Sequence, residues 1–206
     1  MIKNVVLDFG HGGIDEDGNY TTAPKKMHTF DDGEIAYEGV LNRAIGNEIY
    51  KCLVEHEELN VVRMPCSCTA RDMPLKERVA EANRFDPKST IFVSVHCNAS
   101  VGHNAGGFEI FTSKGITESD RLASEVRTTA RYALHKVNIR DRGLKEANFY
   151  VLRKTKCTAI LIECGFFDFK PEFDKLNNPI FQGDLGSFIA TGIVNYINGK
   201  NRNIPI

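Results

Sequence analysis

Four polar residues interrupt apolar or glycine-rich stretches, and all four are of types that bind metals or move protons. His11 lies in Asp8-Phe9-Gly10-His11-Gly12-Gly13, where flanking glycines remove bulk and widen the backbone choices. Such a turn also suits a phosphate, but neither G-x-G-x-x-G nor G-K-[ST] follows. Glu38 falls in a helix expected over 34–55, within an apolar stripe of Ile35, Leu41, Ile45 and Ile49. A lone carboxylate is costly there unless paired or metal-bound, although a place near the helix start also fits solvent or the helix dipole. His96 ends the strand Ile91-Phe92-Val93-Ser94-Val95-His96-Cys97-Asn98. Period-two alternation puts it with Phe92, Ser94 and Asn98, opposite Ile91, Val93, Val95 and Cys97. Glu163 follows the apolar run Ala159-Ile160-Leu161-Ile162 and precedes Cys164-Gly165-Phe166. An apolar setting raises a carboxyl pKa towards the range useful in acid–base catalysis, and a buried ion pair is the competing reading.

Together the four form a chemically complete set. Two histidines and a carboxylate are a common three-ligand arrangement for catalytic zinc, with a fourth position left for water. A second carboxylate outside that shell can take the water's proton and pass it to a leaving amine. Spacing alone does not bring these distant segments together.

The elements that must position them read as an alternation of strands and helices. Strands are expected at 4–9, 59–64, 90–97, 106–112, 149–152 and 158–164, and helices at 34–55, 74–85, 117–137 and 180–198. A glycine- and aspartate-rich loop fills the space up to residue 33. This order predicts an α/β domain around a mostly parallel sheet, with the ligand beyond the carboxyl ends of the strands. Composition agrees: 206 residues, 42% hydrophobic and 26% charged, are ordinary for one globular domain. With 26 Lys and Arg against 27 Asp and Glu, the net charge of -1 gives no support to a nucleic-acid or membrane-surface partner. No apolar stretch is long enough to span a bilayer, and no signal-peptide pattern opens the sequence. The six cysteines read as free thiols; Cys66 and Cys68 form a C-x-C pair without a second pair at zinc-ribbon spacing.

The sequence resembles the zinc-dependent N-acetylmuramoyl-L-alanine amidases of bacterial autolysins and phage endolysins, from Val5 to about Ile197. The similarity is carried by Leu7–Gly13, Glu38 with Leu41-Asn42, Thr69-Ala70-Arg71-Asp72, Leu75, Arg78 and Ala82-Asn83. It continues through Ser94–Ala99, Gly107-Phe108-Glu109, Arg142–Lys145, Tyr150–Arg153 and Ile162–Phe166. The resemblance implies zinc held by His11, Glu38 and His96, with Glu163 as the catalytic acid–base. It implies cleavage of the amide between N-acetylmuramic acid and L-alanine in peptidoglycan. It also implies a twisted mixed sheet, six-stranded on the reading above, with helices on both faces. Arg71, Asn98 and Lys145 are the expected substrate contacts, and the loop 14–33 and segment 99–106 the expected groove walls. Cys97 and Cys164 depart from the small or apolar residues usual at those positions. Thr158 stands where the family often has a proline before its last core strand, and Phe167-Asp168 where it often has an asparagine.

The expected organisation is a catalytic domain over 1–199, a short polar tail at 200–206 and no separate wall-binding domain. The expected protein is a monomer whose partner is peptidoglycan, without nucleic acid or membrane insertion. Its expected location is the cytoplasm until release onto the wall, as for an endolysin, or the cell exterior if a signal has been removed. Three other readings compete: a zinc peptidase or deacylase on another wall peptide, a non-catalytic wall-binding module, and a nucleophilic Cys97 or Cys164.

Overall fold

The computed structural model describes residues 1–201. In chain order the elements are β1 (Asn4–Phe9), β2 (Met27–Thr29), β3 (Ile35–Tyr37), α1 (Glu38–Leu53), β4 (Asn60–Arg63), α2 (Pro65–Cys68) and α3 (Leu75–Ala82). They continue as β5 (Thr90–Asn98), β6 (Phe108–Thr112), α4 (Glu118–Lys136), β7 (Asp141–Glu146), α5 (Tyr150–Lys154), β8 (Thr158–Phe166), α6 (Lys170–Leu176) and α7 (Pro179–Asn201). The main sheet has six strands in the order β4-β1-β5-β8-β6-β7, and β2 pairs with β3 in a separate antiparallel ribbon. β4, β1, β5 and β8 run parallel, while β6 is antiparallel to β8 and parallel to β7. The sheet is therefore mixed and mostly parallel, as expected.

The central strands are buried on both faces, which is why they read as long apolar runs. Val5, Leu7 and Phe9 of β1, Val93 and Val95 of β5, and Ile160 and Ile162 of β8 face one core with α1, α4 and α7. Val6, Phe92, Ala159 and Leu161 face a smaller core with Met64, Met73, Val79, Val151 and Leu152. Cys97 and Cys164 belong to the first core, while His96 and Glu163, one residue away, leave the opposite face. Alternation thus separates the two thiols from the polar face.

Several elements differ from the sequence reading, among them the short β2, β3, α2 and α6, which it did not expect. Residues 150–154 form α5, where a strand was expected; a short apolar run has no period that separates strand from buried helix. The sixth strand is instead β7, whose sequence Asp-Arg-Gly-Leu-Lys-Glu carries charges because it is an edge strand with one neighbour. The first helix begins at Glu38, and Ile35 sits in β3, so the stripe is Leu41, Ile45, Ile49 and Leu53. Of the expected polar tail, Lys200 and Asn201 end α7, and 202–206 lie outside the described residues.

Candidate active site

His11, Glu38 and His96 meet at the carboxyl end of the parallel strands, each brought by a different element. His11 follows β1 in a turn with φ 63°, a left-handed conformation uncommon for a non-glycine residue. The turn is tied down on every side. Gly10 N–H donates to Val95 O (2.9 Å), Gly12 N–H to Thr22 Oγ1 (2.8 Å) and Gly13 N–H to Ala70 O (2.8 Å). Arg43, one turn past Glu38 on α1, donates to the carbonyls of His11 (3.0 Å), Gly12 (2.6 Å), Gly39 (2.9 Å) and Cys66 (2.6 Å). One guanidinium therefore binds the His11 turn to the helix that carries Glu38. Arg78 of α3, 3% exposed, pairs with the buried Asp8 and donates to Phe9 O (3.1 Å).

Glu38 is the first residue of α1 and is 1% exposed. Its Oε1 lies 2.9 Å from His96 Nδ1 and 3.3 Å from His11 Nε2. Burial alone would raise this carboxyl, but hydrogen bonds and charge from the two histidines prevail and hold it well below the usual carboxylate range. Burial pushes His11 down, towards the neutral form that a metal ligand requires. The two imidazoles are edge-on, with centroids 5.0 Å apart.

Each of the three side chains offers a ligand atom, and all these atoms lie within 4.8 Å of one another. His11 Nε2 and Glu38 Oε2 are buried and poorly satisfied: the nearest charged groups, Glu38 Oε1 to the first and Lys26 Nζ to the second, stand at 3.3 Å and 3.4 Å without good hydrogen-bond geometry. Buried polar atoms are rarely left in that state, and two of them converging with an imidazole fit a cation. Glycine makes the approach possible: a Cβ at Gly10 would stand 2.1 Å from His96 Cε1, and one at Gly39 would stand 1.8 Å from Gly12 O.

Glu163 is the register partner of His96 on the adjacent strand, so it faces the same cluster. Burial, followed by the charge of Glu38, raises its carboxyl well above the ordinary range. A groove of about 540 Å³ opens over His11, His96 and Glu163. Its walls include Met73, Leu75, Phe149, Tyr150 and Lys26. The expected walls are thus only partly found. The loop 14–33 contributes Lys26, segment 99–106 contributes nothing, and the start of α3 and the stretch around α5 take its place.

Known proteins match the chain: a family model described as N-acetylmuramoyl-L-alanine amidase covers residues 5–195. The chain belongs to this amidase family. It is 31% identical over 197 residues to the uncharacterized protein YqiI of Bacillus subtilis, covering 94% of this chain and 84% of that protein. It is 30% identical to the endolysin of Bacillus phage SPP1, covering 98% of this chain and 69% of the endolysin. The crystal structure of N-acetylmuramoyl-L-alanine amidase from Clostridium difficile 630 superposes with a TM-score of 0.78 at 32% identity, covering 97% of this chain and 98% of that one. The amidase is thus an amide hydrolase by family.

The amidase's expected substrate contacts sit elsewhere. Asn98 and Lys145 converge on the buried Glu109, which also accepts from Arg142 Nε at 2.6 Å. Arg71 pairs with Glu77 at 2.7 Å on the surface. None of the three lines the groove. Two features of the site escaped the sequence reading. The Asp8–Arg78 pair was detectable, since Asp8 breaks an apolar strand and Arg78 breaks the apolar stripe of α3. Lys26 gave no signal, because its loop has no periodicity.

Proposed function

We propose that His11, Glu38 and His96 hold zinc and that Glu163 is the acid–base of a hydrolase that cuts between N-acetylmuramic acid and L-alanine. The observation that supports this reading is the convergence of two imidazoles and a buried carboxylate beside a second carboxyl of raised pKa. Two nitrogen donors and one oxygen donor suit zinc among the common divalent ions. Zinc bound there supplies a Lewis acid that polarises the scissile carbonyl and makes water acidic enough to attack at neutral pH.

The remaining chemistry belongs to the protein. Glu163, as carboxylate, accepts a proton as the water oxygen bonds to the carbonyl carbon. The carbonyl π pair moves onto its oxygen. When that pair returns, the C–N bond breaks and Glu163 gives its proton to the departing alanine nitrogen. The products are a muramic acid carboxylate and a free amino terminus. Met73, Leu75, Phe149 and Tyr150 form a partly apolar wall that orients the substrate and limits water around Glu163. No helix among the described residues is long and apolar enough to cross a membrane, and we place the activity at the wall.

Purified protein incubated with peptidoglycan tests the assignment. It should free L-alanine amino termini without new reducing sugar ends, lose activity to a chelator and regain it with zinc. New reducing ends would point to a glycosidase, new amino termini other than L-alanine to a peptidase, and bound but intact walls to a binding module.

A further inference from the structure

Lys26 is the cation of the groove that the metal-and-glutamate scheme leaves without a task. Its backbone is left-handed, at φ 59°, a conformation lysine rarely adopts. The carbonyl of this residue accepts the N–H of Glu38 at 3.0 Å, and the adjoining rung of the β2–β3 ribbon pairs Met27 with Tyr37. The start of α1 therefore fixes Lys26 over the site. Its Nζ lies 3.4 Å from Glu38 Oε2 with the side chain about half exposed (47%), so the ammonium reaches both the site and the open groove. The other guanidinium or ammonium lining the groove, Arg78, is already committed to Asp8.

Lys26 has Glu38 as its acid partner, and Glu38 is also a proposed metal ligand. Once Glu38 gives its charge to a metal, the ammonium faces the groove with three donors and excess positive charge. A cation in that position repels a metal ion and so weakens metal binding. The same cation is well placed for the event that creates negative charge in the groove, the movement of the carbonyl π pair onto oxygen during attack.

We propose that Lys26 is a catalytic cation that stabilises the carbonyl oxygen as it becomes negative, at some cost in metal affinity. This inference rests on the amidase reading. It adds a second electrophile to the reaction, supplied by the loop between the His11 turn and α1.

The test uses Lys26→Met, Lys26→Gln and Lys26→Arg in the full chain. Zinc affinity is measured by competition with a chromogenic chelator, and kcat and KM on a soluble muropeptide at saturating zinc. Removing the charge should tighten zinc binding by about tenfold, because a like charge has left the site. It should lower kcat by about 100-fold with KM little changed, the pattern of a lost transition-state donor. Arg should restore most of the turnover. Unchanged kcat in the Met and Gln variants, weaker zinc binding, or a rise in KM at constant kcat would each overturn the proposal. Thermal melting of each zinc-free variant identifies one that has not folded, and the other substitution then decides. Wild-type protein in the same assay separates the two failures: if it releases no L-alanine amino termini, the amidase reading itself is wrong.

Discussion

His96 and Glu163 are register partners on adjacent parallel strands, so a proposed metal ligand and the proposed acid–base leave the same face of the sheet side by side. Neighbouring strands are about 4.8 Å apart, which sets the reach of Glu163 to a water held near His96. The sheet therefore builds half of the site by pairing alone. The other half, His11 and Glu38, comes from the turn after β1 and the start of α1.

Replacing Glu163 should separate catalysis from metal binding. Glu163→Gln should lower turnover about 10²–10⁴-fold, the usual share of a positioned acid–base. Zinc content by atomic absorption should stay at the wild-type level. Because burial and Glu38 both disfavour the ionised form of Glu163, the zinc-free Gln variant should also melt at a higher temperature than wild type at neutral pH. Loss of zinc from the variant would mean that Glu163 is a ligand.

Gly10→Ala should damage the metal site by steric pressure. The added methyl would overlap the His96 ring, so the imidazole must turn away. Zinc affinity should fall about 10–100-fold, as when a ligand's support is removed. Isothermal titration of zinc into the zinc-free variant measures this directly, and wild-type affinity would show that His96 is not a ligand.

Arg78→Met should be strongly destabilising, because it leaves Asp8 buried and unpaired. A loss of about 3–5 kcal/mol is expected for a broken buried pair. The double variant with Asp8→Asn should recover part of that loss, since the uncompensated charge is removed too. Urea unfolding of the three variants tests the coupling, and additive effects would count against it.

The pH dependence of kcat/KM should follow Glu163. Its pKa is raised, so the carboxylate that accepts the proton is depleted below that value and present above it. Activity should therefore rise with pH through an acid limb that lies above the ordinary glutamate range, measured with zinc saturating throughout. A limb at the ordinary carboxylate value would show that the bound metal cancels the effect of burial and of Glu38.

Much of this was legible in the chain itself. His96 and Glu163 could be assigned to one face, and Cys97 and Cys164 to the other, because strand periodicity is a local property of the backbone. Glu38 could be singled out because burying a lone carboxylate among Leu41, Ile45 and Ile49 is costly wherever the helix docks. The resemblance added the family and the pairing of distant segments. Short-range pattern failed where tertiary context decides between states. The stretch 150–154 became helix because its apolar residues, Val151 and Leu152, cap the smaller core, and 141–146 became a charged edge strand because β6 offered it a free ladder.

What the sequence determined alone was the set of polar residues placed where apolar ones would be cheaper. What only the tertiary structure decided was their separation, their supports and their company. Arg43 joins the His11 turn to α1 through carbonyls of residues far apart in the chain, and Lys26 is held above Glu38 by the backbone hydrogen bond from Glu38 and the adjoining rung of the β2–β3 ribbon. Such contacts depend on how the chain returns in space, which no local period records. The same physics makes Asn98 and Lys145 partners of Glu109: a buried carboxylate gathers the nearest donors, wherever in the sequence they lie.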